Sequence, residues 1–198
     1  MTHEQVSDRI LTVPNVISFI RILGVPVFWW VLFVEENVGL AAVFIFLIGW
    51  TDWIDGYLAR RLNQVTKLGK VLDPLADRLM IASAVIGGLI AGVVPALIGI
   101  GLIVREIFMG IVTLLLAARG AGTLEVRYLG KVSTFILYGA ITGFYLASAG
   151  FLEVLIRPLA WIGGMVGLAL YWWVALQYVG DARAKLANVE SPAIAEES

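Results

Sequence analysis

The sequence predicts an all-α integral membrane protein with six transmembrane helices and a short amphipathic helix before the first of them. Of its 198 residues, 60% are hydrophobic and only 15% are charged, whereas a soluble domain typically has about 25% charged residues. Six apolar stretches also approach the roughly 20 residues that a helix needs to cross a bilayer. The chain length predicts a single domain over residues 1–198.

The predicted spans are separated by short polar segments. We place them at residues 16–34, 38–58, 74–91, 95–117, 128–149 and 155–180. Residues 1–13 lack the basic start and cleavage site of a signal peptide, and we interpret them as an amphipathic helix on the membrane surface. Residues 182–198 are polar, and we expect this tail to fray after Asp181.

The distribution of positive charge predicts an orientation. Basic residues concentrate before the first span, between the second and third, between the fourth and fifth, and after the sixth; they are Arg9, Arg60, Arg61, Lys67, Lys70, Arg119, Arg127, Arg183 and Lys185. The opposite side has Arg157 alone, near Glu35, Glu36 and Glu153. Because cytoplasmic loops carry the excess of Lys and Arg, both termini are predicted to be cytoplasmic.

Four aspartates flank the predicted cytoplasmic loop between the second and third spans. Asp52 and Asp55 end one span, and Asp73 and Asp77 open the next. Residues three or four apart share a face of a helix. Two antiparallel helices joined by this loop would therefore bring four carboxylates together at the cytoplasmic membrane boundary.

The negative charge of four clustered carboxylates must be neutralised. An aspartate in the middle of a span costs about 2.5–3.5 kcal/mol on insertion scales, and like charges repel further. Carboxylate oxygens suit Mg²⁺ or Mn²⁺, and the chain has no cysteine and one histidine, which argues against a zinc cluster. One or two such ions would clamp phosphate oxygens and favour phosphoryl transfer.

The alternative is that the aspartates only cap helices or pair with Arg60, Arg61 and Arg78. Asp73 before Pro74 does resemble an N-cap followed by proline at the first helical position. Four aspartates at this spacing beside a membrane favour the metal site. Gly56 and Ala59 would also leave room for a flat ligand near the backbone.

The aspartates belong to a longer pattern, D-x-x-D-G-x-x-A-R-x8-G-x3-D-x3-D. Its fixed positions are filled without departure by Asp52, Asp55, Gly56, Ala59, Arg60, Gly69, Asp73 and Asp77. In this signature the chain resembles the CDP-alcohol phosphotransferase (CDP-alcohol phosphatidyltransferase) family. The resemblance covers nearly the whole chain and is strongest to the actinobacterial cardiolipin synthase and phosphatidylglycerophosphate synthase branch.

The resemblance implies a metal-dependent enzyme that transfers the phosphatidyl group of CDP-diacylglycerol to a hydroxyl group in one displacement, with CMP leaving. It implies that Asp52, Asp55, Asp73 and Asp77 bind two Mg²⁺ or Mn²⁺ ions and that Asp77 is the general base. Gly56, Ala59, Arg60 and Gly69 would bind the CDP-lipid. The resemblance also implies a homodimer in the bacterial cytoplasmic membrane, with a cytoplasmic active site; we expect no nucleic-acid partner.

The acceptor is predicted from residues outside the signature. The candidates for binding it are Arg21, Arg105, Lys131 and Thr134. Phosphatidylglycerophosphate synthases usually have Gly-Lys-x-Lys-Thr in the fifth span, whereas this chain has Ser133 in place of the second lysine. We therefore favour phosphatidylglycerol, with glycerol 3-phosphate as the alternative. In the structural alternatives, Arg21 snorkels, Arg105 pairs with Glu106, and Lys131 is an ordinary interfacial residue.

A divalent-cation transporter is the competing class. It would place carboxylates near the bilayer centre on broken helices, whereas these aspartates lie at the cytoplasmic end of two predicted spans. Metal-dependent release of CMP would decide for the enzyme.

Overall fold

The computed structural model describes residues 12–48, 69–122 and 127–196. Within these ranges the helices are α1 Val13–Phe33, α2 Val38–Ile48, α3 Gly69–Ile90, α4 Ala96–Ala118, α5 Tyr128–Ser148 and α6 Glu153–Glu196. The prediction of an all-α protein is confirmed for these parts of the chain. Most of the predicted N-terminal amphipathic helix, residues 1–11, lies outside the described residues.

Within the part of the chain that the structure describes, four helices are long and apolar enough to cross a bilayer. The apolar stretches are Asn15–Phe33, Ala96–Ala118, Tyr128–Ser148 and Glu153–Ala187. Large apolar side chains cover their outer surfaces; Phe135 is 80% exposed and Val154 is 93% exposed. Because water would disfavour so much exposed apolar surface, the natural solvent of these helices is lipid. The chain is therefore a membrane protein, and the six-span arrangement stays a prediction.

Helix α3 begins earlier than we predicted. We expected the third span to start at Pro74, but the helix already starts at Gly69. Asp73 is therefore inside the helix, and the interpretation of Asp73 as an N-cap is wrong. Pro74 has no amide hydrogen, so the Lys70 carbonyl loses its usual helical partner. The N-cap interpretation arose because proline is common at the first helical position.

Helix α6 ends later than we predicted. The tail does not fray after Asp181, because the helix continues to Glu196. Residues 182–187 are alanine, arginine, lysine and leucine, which are all strong helix formers. Polarity alone was a poor guide to the end of this helix.

The helices divide into two compact units. Unit 1 comprises Met1–Val94 and Ile141–Pro158. In it α1 packs against α3, and the approach is close at Gly87, where an added Cβ would lie 2.9 Å from Leu32 Cδ2. Tyr145 is fully buried and donates a hydrogen bond to the Ala84 carbonyl at 2.8 Å. These contacts fix the rotation of α3 in its unit.

Unit 2 comprises Pro95–Ala140 and Leu159–Ser198. Its helices pack closely at Gly167, where an added Cβ would lie 2.8 Å from Leu137 Cγ. Just before α5, Arg127 donates to Asp181 at 2.6 Å, and the Tyr178 hydroxyl accepts from the Arg127 amide at 3.0 Å. The hydrogen bond with Asp181 raises the pKa of Arg127 above its ordinary value. This clamp holds the start of α5 against α6.

Candidate functional site

Helix α3 positions two of the four aspartates. Asp73 and Asp77 occupy helical positions one turn apart on the same face. Asp77 is half-buried, while Ala76 and Met80 on either side of it are buried in unit 1. Because these apolar residues fix the rotation of the helix, the register of the two acidic positions is fixed as well.

The rest of the predicted donor site lies outside the described residues. It comprises Asp52, Asp55, Gly56, Ala59 and Arg60. Gly69 is buried as the first residue of α3. Within residues 12–48, 69–122 and 127–196, no group of three or more acidic, histidine or cysteine side chains could hold a metal; these ranges contain two of the four predicted ligands. The donors that they contribute are hard oxygen ligands one helical turn apart, which fit Mg²⁺ or Mn²⁺.

Arg21 lies on a buried polar face of α1. It is only 2% exposed, and Asn15 and Ser18, at helical spacing from it, are buried too. A snorkelling arginine keeps its guanidinium at the surface, so burial argues against that alternative. Sequence reasoning singled out Arg21 alone; the spacing of Asn15, Ser18 and Arg21 could have indicated the whole polar face.

Arg105 is buried in unit 2 between an acid and an aromatic ring. It is 8% exposed, and its Nη1 donates to Glu106 Oε1 at 2.8 Å. The guanidinium carbon lies 3.6 Å from the centre of the Tyr171 ring, and the Tyr171 hydroxyl donates to the same Glu106 oxygen. Arg105 Nε has no hydrogen-bond partner among the described residues. The salt bridge therefore forms, but it leaves a buried donor without an acceptor, which typically costs about 1–3 kcal/mol.

Thr134 reaches the same cluster from α5. Its side chain lies beside the Tyr171 hydroxyl, and its own hydroxyl donates to the Gly130 carbonyl at 2.9 Å. Lys131 is exposed and lies three residues before Thr134, on the same side of α5. The structure thus brings Arg105 and Thr134 together through Tyr171, a residue that sequence reasoning did not select as a site residue.

Comparison with known proteins gives the family. A model of the CDP-alcohol phosphatidyltransferase family matches residues 11–176. The chain belongs to this family. The match includes the aspartate signature, the buried face of α1 and the cluster around Arg105.

The relatives that the chain resembles include cardiolipin synthases and a glycerol-3-phosphate 3-phosphatidyltransferase. The chain is 36% identical over 183 residues to the cardiolipin synthase (CMP-forming) of Streptomyces coelicolor, covering 89% of this chain and 85% of the relative. It is 34% identical over 176 residues to a putative cardiolipin synthase of Mycobacterium tuberculosis, covering 86% and 82%. It is also 34% identical over 177 residues to the CDP-diacylglycerol–glycerol-3-phosphate 3-phosphatidyltransferase of Bacillus subtilis, covering 82% and 86%.

These matches settle the class of activity. This phosphatidyltransferase is an enzyme of phospholipid biosynthesis, as the signature predicted. Membership of the family decides against the cation transporter. The resemblance to the actinobacterial branch is confirmed by the Streptomyces and Mycobacterium relatives.

Proposed function

We propose that this phosphatidyltransferase is a cardiolipin synthase, which transfers the phosphatidyl group of CDP-diacylglycerol to a hydroxyl of phosphatidylglycerol and releases CMP. The observation that carries the choice of acceptor is the environment of Ser133. Its side chain is completely buried, and its hydroxyl donates to the Gly130 carbonyl at 2.9 Å. The position that holds a second lysine in the glycerol 3-phosphate branch therefore presents no cation.

The missing second lysine matters because the two acceptors carry different negative charges. Glycerol 3-phosphate carries between one and two negative charges at neutral pH because its second pKa is about 6. Phosphatidylglycerol carries one negative charge on a phosphodiester and anchors itself through its acyl chains. A site with one exposed lysine, Lys131, is better matched to the phosphodiester.

The donor site is assigned to the signature. We propose that two Mg²⁺ or Mn²⁺ ions are held by Asp52, Asp55, Asp73 and Asp77. When bound, such ions neutralise charge on the phosphate oxygens during transfer. Arg60 would pair with the phosphates of the CDP-lipid, while Gly56, Ala59 and Gly69 leave space for its cytidine and phosphates to approach the backbone.

Asp77 is assigned as the general base. Its carboxylate takes the proton of the acceptor hydroxyl as the hydroxyl oxygen bonds to the phosphorus of the phosphatidyl group. The phosphoanhydride bond to CMP breaks in the same displacement, and CMP leaves with the bonding electron pair. No covalent enzyme intermediate is needed. The place of Asp77 on a packed helix supports this role, because a general base must be held in position.

The acceptor phosphate is assigned to Arg105, Lys131 and Thr134. The unpaired Nε of buried Arg105 supports this assignment, since an anionic oxygen there would satisfy it. Arg21 is a further candidate for lipid phosphate in unit 1 because it is a buried cation on a polar helix face.

We also propose six spans with a surface helix at the N-terminus, both termini and the active site in the cytoplasm, and a homodimer in the bacterial cytoplasmic membrane. The excess of basic residues in the predicted cytoplasmic segments supports the orientation. The charged first half of α3, with Lys70, Asp73, Asp77 and Arg78, fits a span end at the cytoplasmic interface.

A specific observation favours glycerol 3-phosphate as a second candidate acceptor. Besides the Bacillus relative, the chain is 32% identical over 191 residues to a CDP-diacylglycerol–glycerol-3-phosphate 3-phosphatidyltransferase of Shigella flexneri, covering 88% of this chain and 96% of that relative. The general similarity of the chain therefore does not separate the two acceptors, and the argument depends on the site residues.

The test is a reconstitution in liposomes of uncharged lipid. Purified protein is given CDP-diacylglycerol, Mg²⁺ or Mn²⁺, and one acceptor at a time, and the lipid product is identified by mass spectrometry. We expect cardiolipin and an equal amount of CMP from phosphatidylglycerol. Phosphatidylglycerophosphate as the sole lipid product, formed only with glycerol 3-phosphate, would contradict the proposal.

A further inference from the structure

Arg105 lies in a cluster with Glu106, Thr134 and Tyr171, so the cation has an acidic and an aromatic neighbour. We infer that Glu106 and Tyr171 are positioning residues that present Arg105 to a phosphodiester monoanion, and that they thereby select phosphatidylglycerol over a phosphate monoester. This inference rests on the proposed function and names two residues that determine its acceptor. We call these four residues the Arg105 cluster.

Geometry gives the first argument. The guanidinium carbon of Arg105 lies 3.6 Å from the centre of the Tyr171 ring, and Arg105 Nη1 donates a hydrogen bond to Glu106 Oε1 at 2.8 Å. Stacking on an aromatic ring fixes the plane of a guanidinium, and an ion pair fixes its rotation within that plane. The Nε atom is buried and has no hydrogen-bond partner in the described ranges. A guanidinium held in this way offers its free N–H groups to one oxyanion in a defined direction.

Charge gives the second argument. Glu106 cancels the charge of Arg105, so the Arg105 cluster has no net charge. Lys131, one turn before Thr134 on α5, adds one positive charge nearby. A phosphodiester carries one negative charge and is matched by this site, whereas a phosphate monoester carries up to two. An acid beside the phosphate site disfavours the more negative ligand, and specificity commonly uses such a repulsive group.

The hydroxyl of Tyr171 gives the third argument. It donates to Glu106 on α4, while Tyr171 itself belongs to α6. This hydroxyl therefore connects α6 to α4 and orients the carboxylate that orients Arg105. Removing this hydroxyl would free Glu106 to turn away without uncovering the guanidinium, because a phenylalanine ring would remain beneath it.

Glu106→Gln tests the charge argument. Glutamine keeps the size of the side chain and an oxygen for Arg105, but it removes the negative charge. We expect the ratio of kcat/KM for phosphatidylglycerol to that for glycerol 3-phosphate to fall about tenfold, which corresponds to one charged interaction. The KM for CDP-diacylglycerol should not change. The control is Glu153→Gln, which alters an exposed ion pair with Arg157 and should leave the ratio unchanged.

Tyr171→Phe tests the positioning argument. We expect the KM for phosphatidylglycerol to rise about fivefold to tenfold, with kcat within about threefold of wild type, because binding of the acceptor is weakened before the chemical step. Tyr171→Leu removes the ring as well and should raise this KM further. Tyr128→Phe is the matched control, since Tyr128 is an exposed tyrosine at the start of α5. A merely structural tyrosine would lower the amount of active enzyme and leave the KM unchanged.

The outcomes separate this inference from the proposed function. Cardiolipin formation by wild type with an unchanged acceptor ratio in Glu106→Gln and an unchanged KM in Tyr171→Phe overturns the inference alone. A wild-type enzyme that uses only glycerol 3-phosphate overturns both the proposed acceptor and the inference. If Glu106→Gln does not fold, the KM of Tyr171→Phe decides: a rise for phosphatidylglycerol alone supports the inference, and no rise rejects it.

Discussion

The guanidinium of Arg105 lies over the ring of Tyr171, 66 residues further along the chain, with 3.6 Å between the guanidinium carbon and the ring centre. This contact uses the planar shape of arginine. A lysine ammonium could keep the charge, but it could neither stack in the same way nor offer two adjacent donors to a phosphate.

We therefore predict that Arg105→Lys raises the KM for phosphatidylglycerol about tenfold while kcat/KM for CDP-diacylglycerol changes less than about twofold. Initial rates of CMP release at varied acceptor concentration give the value. Arg157→Lys, in the exposed pair with Glu153, is the control and should behave as wild type. An unaltered KM in Arg105→Lys would remove Arg105 from the acceptor site.

Asp77→Asn should lower kcat about a hundredfold or more, because loss of a positioned general base typically costs 10²–10⁴ in rate. Asparagine keeps the shape of the side chain but cannot take the proton of the acceptor hydroxyl. CDP-diacylglycerol should still bind, as measured by titration calorimetry in detergent. Turnover at the wild-type rate would show that another group is the base.

Removal of divalent cations should abolish transfer. With excess EDTA we expect no CMP release, and addition of Mg²⁺ or Mn²⁺ beyond the chelator should restore it, because four acidic side chains need compensation and the phosphates need a Lewis acid. Far-ultraviolet circular dichroism controls for unfolding and should not change with EDTA. Full activity in excess chelator would reject the metal site.

Arg60→Ala should raise the KM for CDP-diacylglycerol about tenfold, since a hydrogen-bonded ion pair with phosphate is lost. Arg61 follows directly but is outside the signature, so Arg61→Ala is a matched control for the loss of one positive charge near the membrane. Equal effects of the two substitutions would indicate a general electrostatic contribution and contradict a specific role of Arg60.

Gly88→Ala should destabilise unit 1. An added Cβ would lie 2.4 Å from Val94 Cγ2 and 3.0 Å from the Tyr145 hydroxyl, and overpacking of this kind typically costs about 1–3 kcal/mol. We expect a lower Tm in a thermal shift assay in detergent. The control is Gly110→Ala, where no atom of the described residues lies within 4 Å of the added Cβ; its Tm should stay the same or rise. A Tm for Gly88→Ala equal to that of the control would contradict the packing.

Local features of the fold were predictable from the sequence. The start of α5 at Tyr128 was predicted to the residue, because the polar segment before it gives way to a long apolar run. The predicted start of the third span at Pro74 was too late, because α3 already includes Gly69; Pro74 resembled a helix start, while the charged residues before it resembled a loop. Hydrophobicity identifies where a helix crosses lipid, but it says little about where the helix begins in water or at an interface.

The positions of Asp73 and Asp77 on one helix were predictable from the local sequence. The spacing of the aspartates indicated a helix face, and the structure places Asp73 and Asp77 on one. Tyr171 was missed because its contacts with Arg105 and Glu106 arise from packing between α4 and α6, and nothing near it in the sequence carries that information. The signal that could have found it was the adjacent pair of charges at Arg105 and Glu106, because ionisable groups within a span require partners.

Because Gly69–Ile90 is one uninterrupted helix, the second acidic position stands about 6 Å along the axis from the first and about 40° around it. A flexible loop would lose such a spacing whenever a product departs and would have to recover it for the next cycle. Here the backbone would preserve that half of the proposed metal centre between turnovers. If the proposed centre forms there, the conformational entropy of ordering this half is lost once, during folding, and each incoming lipid would meet a preorganised edge.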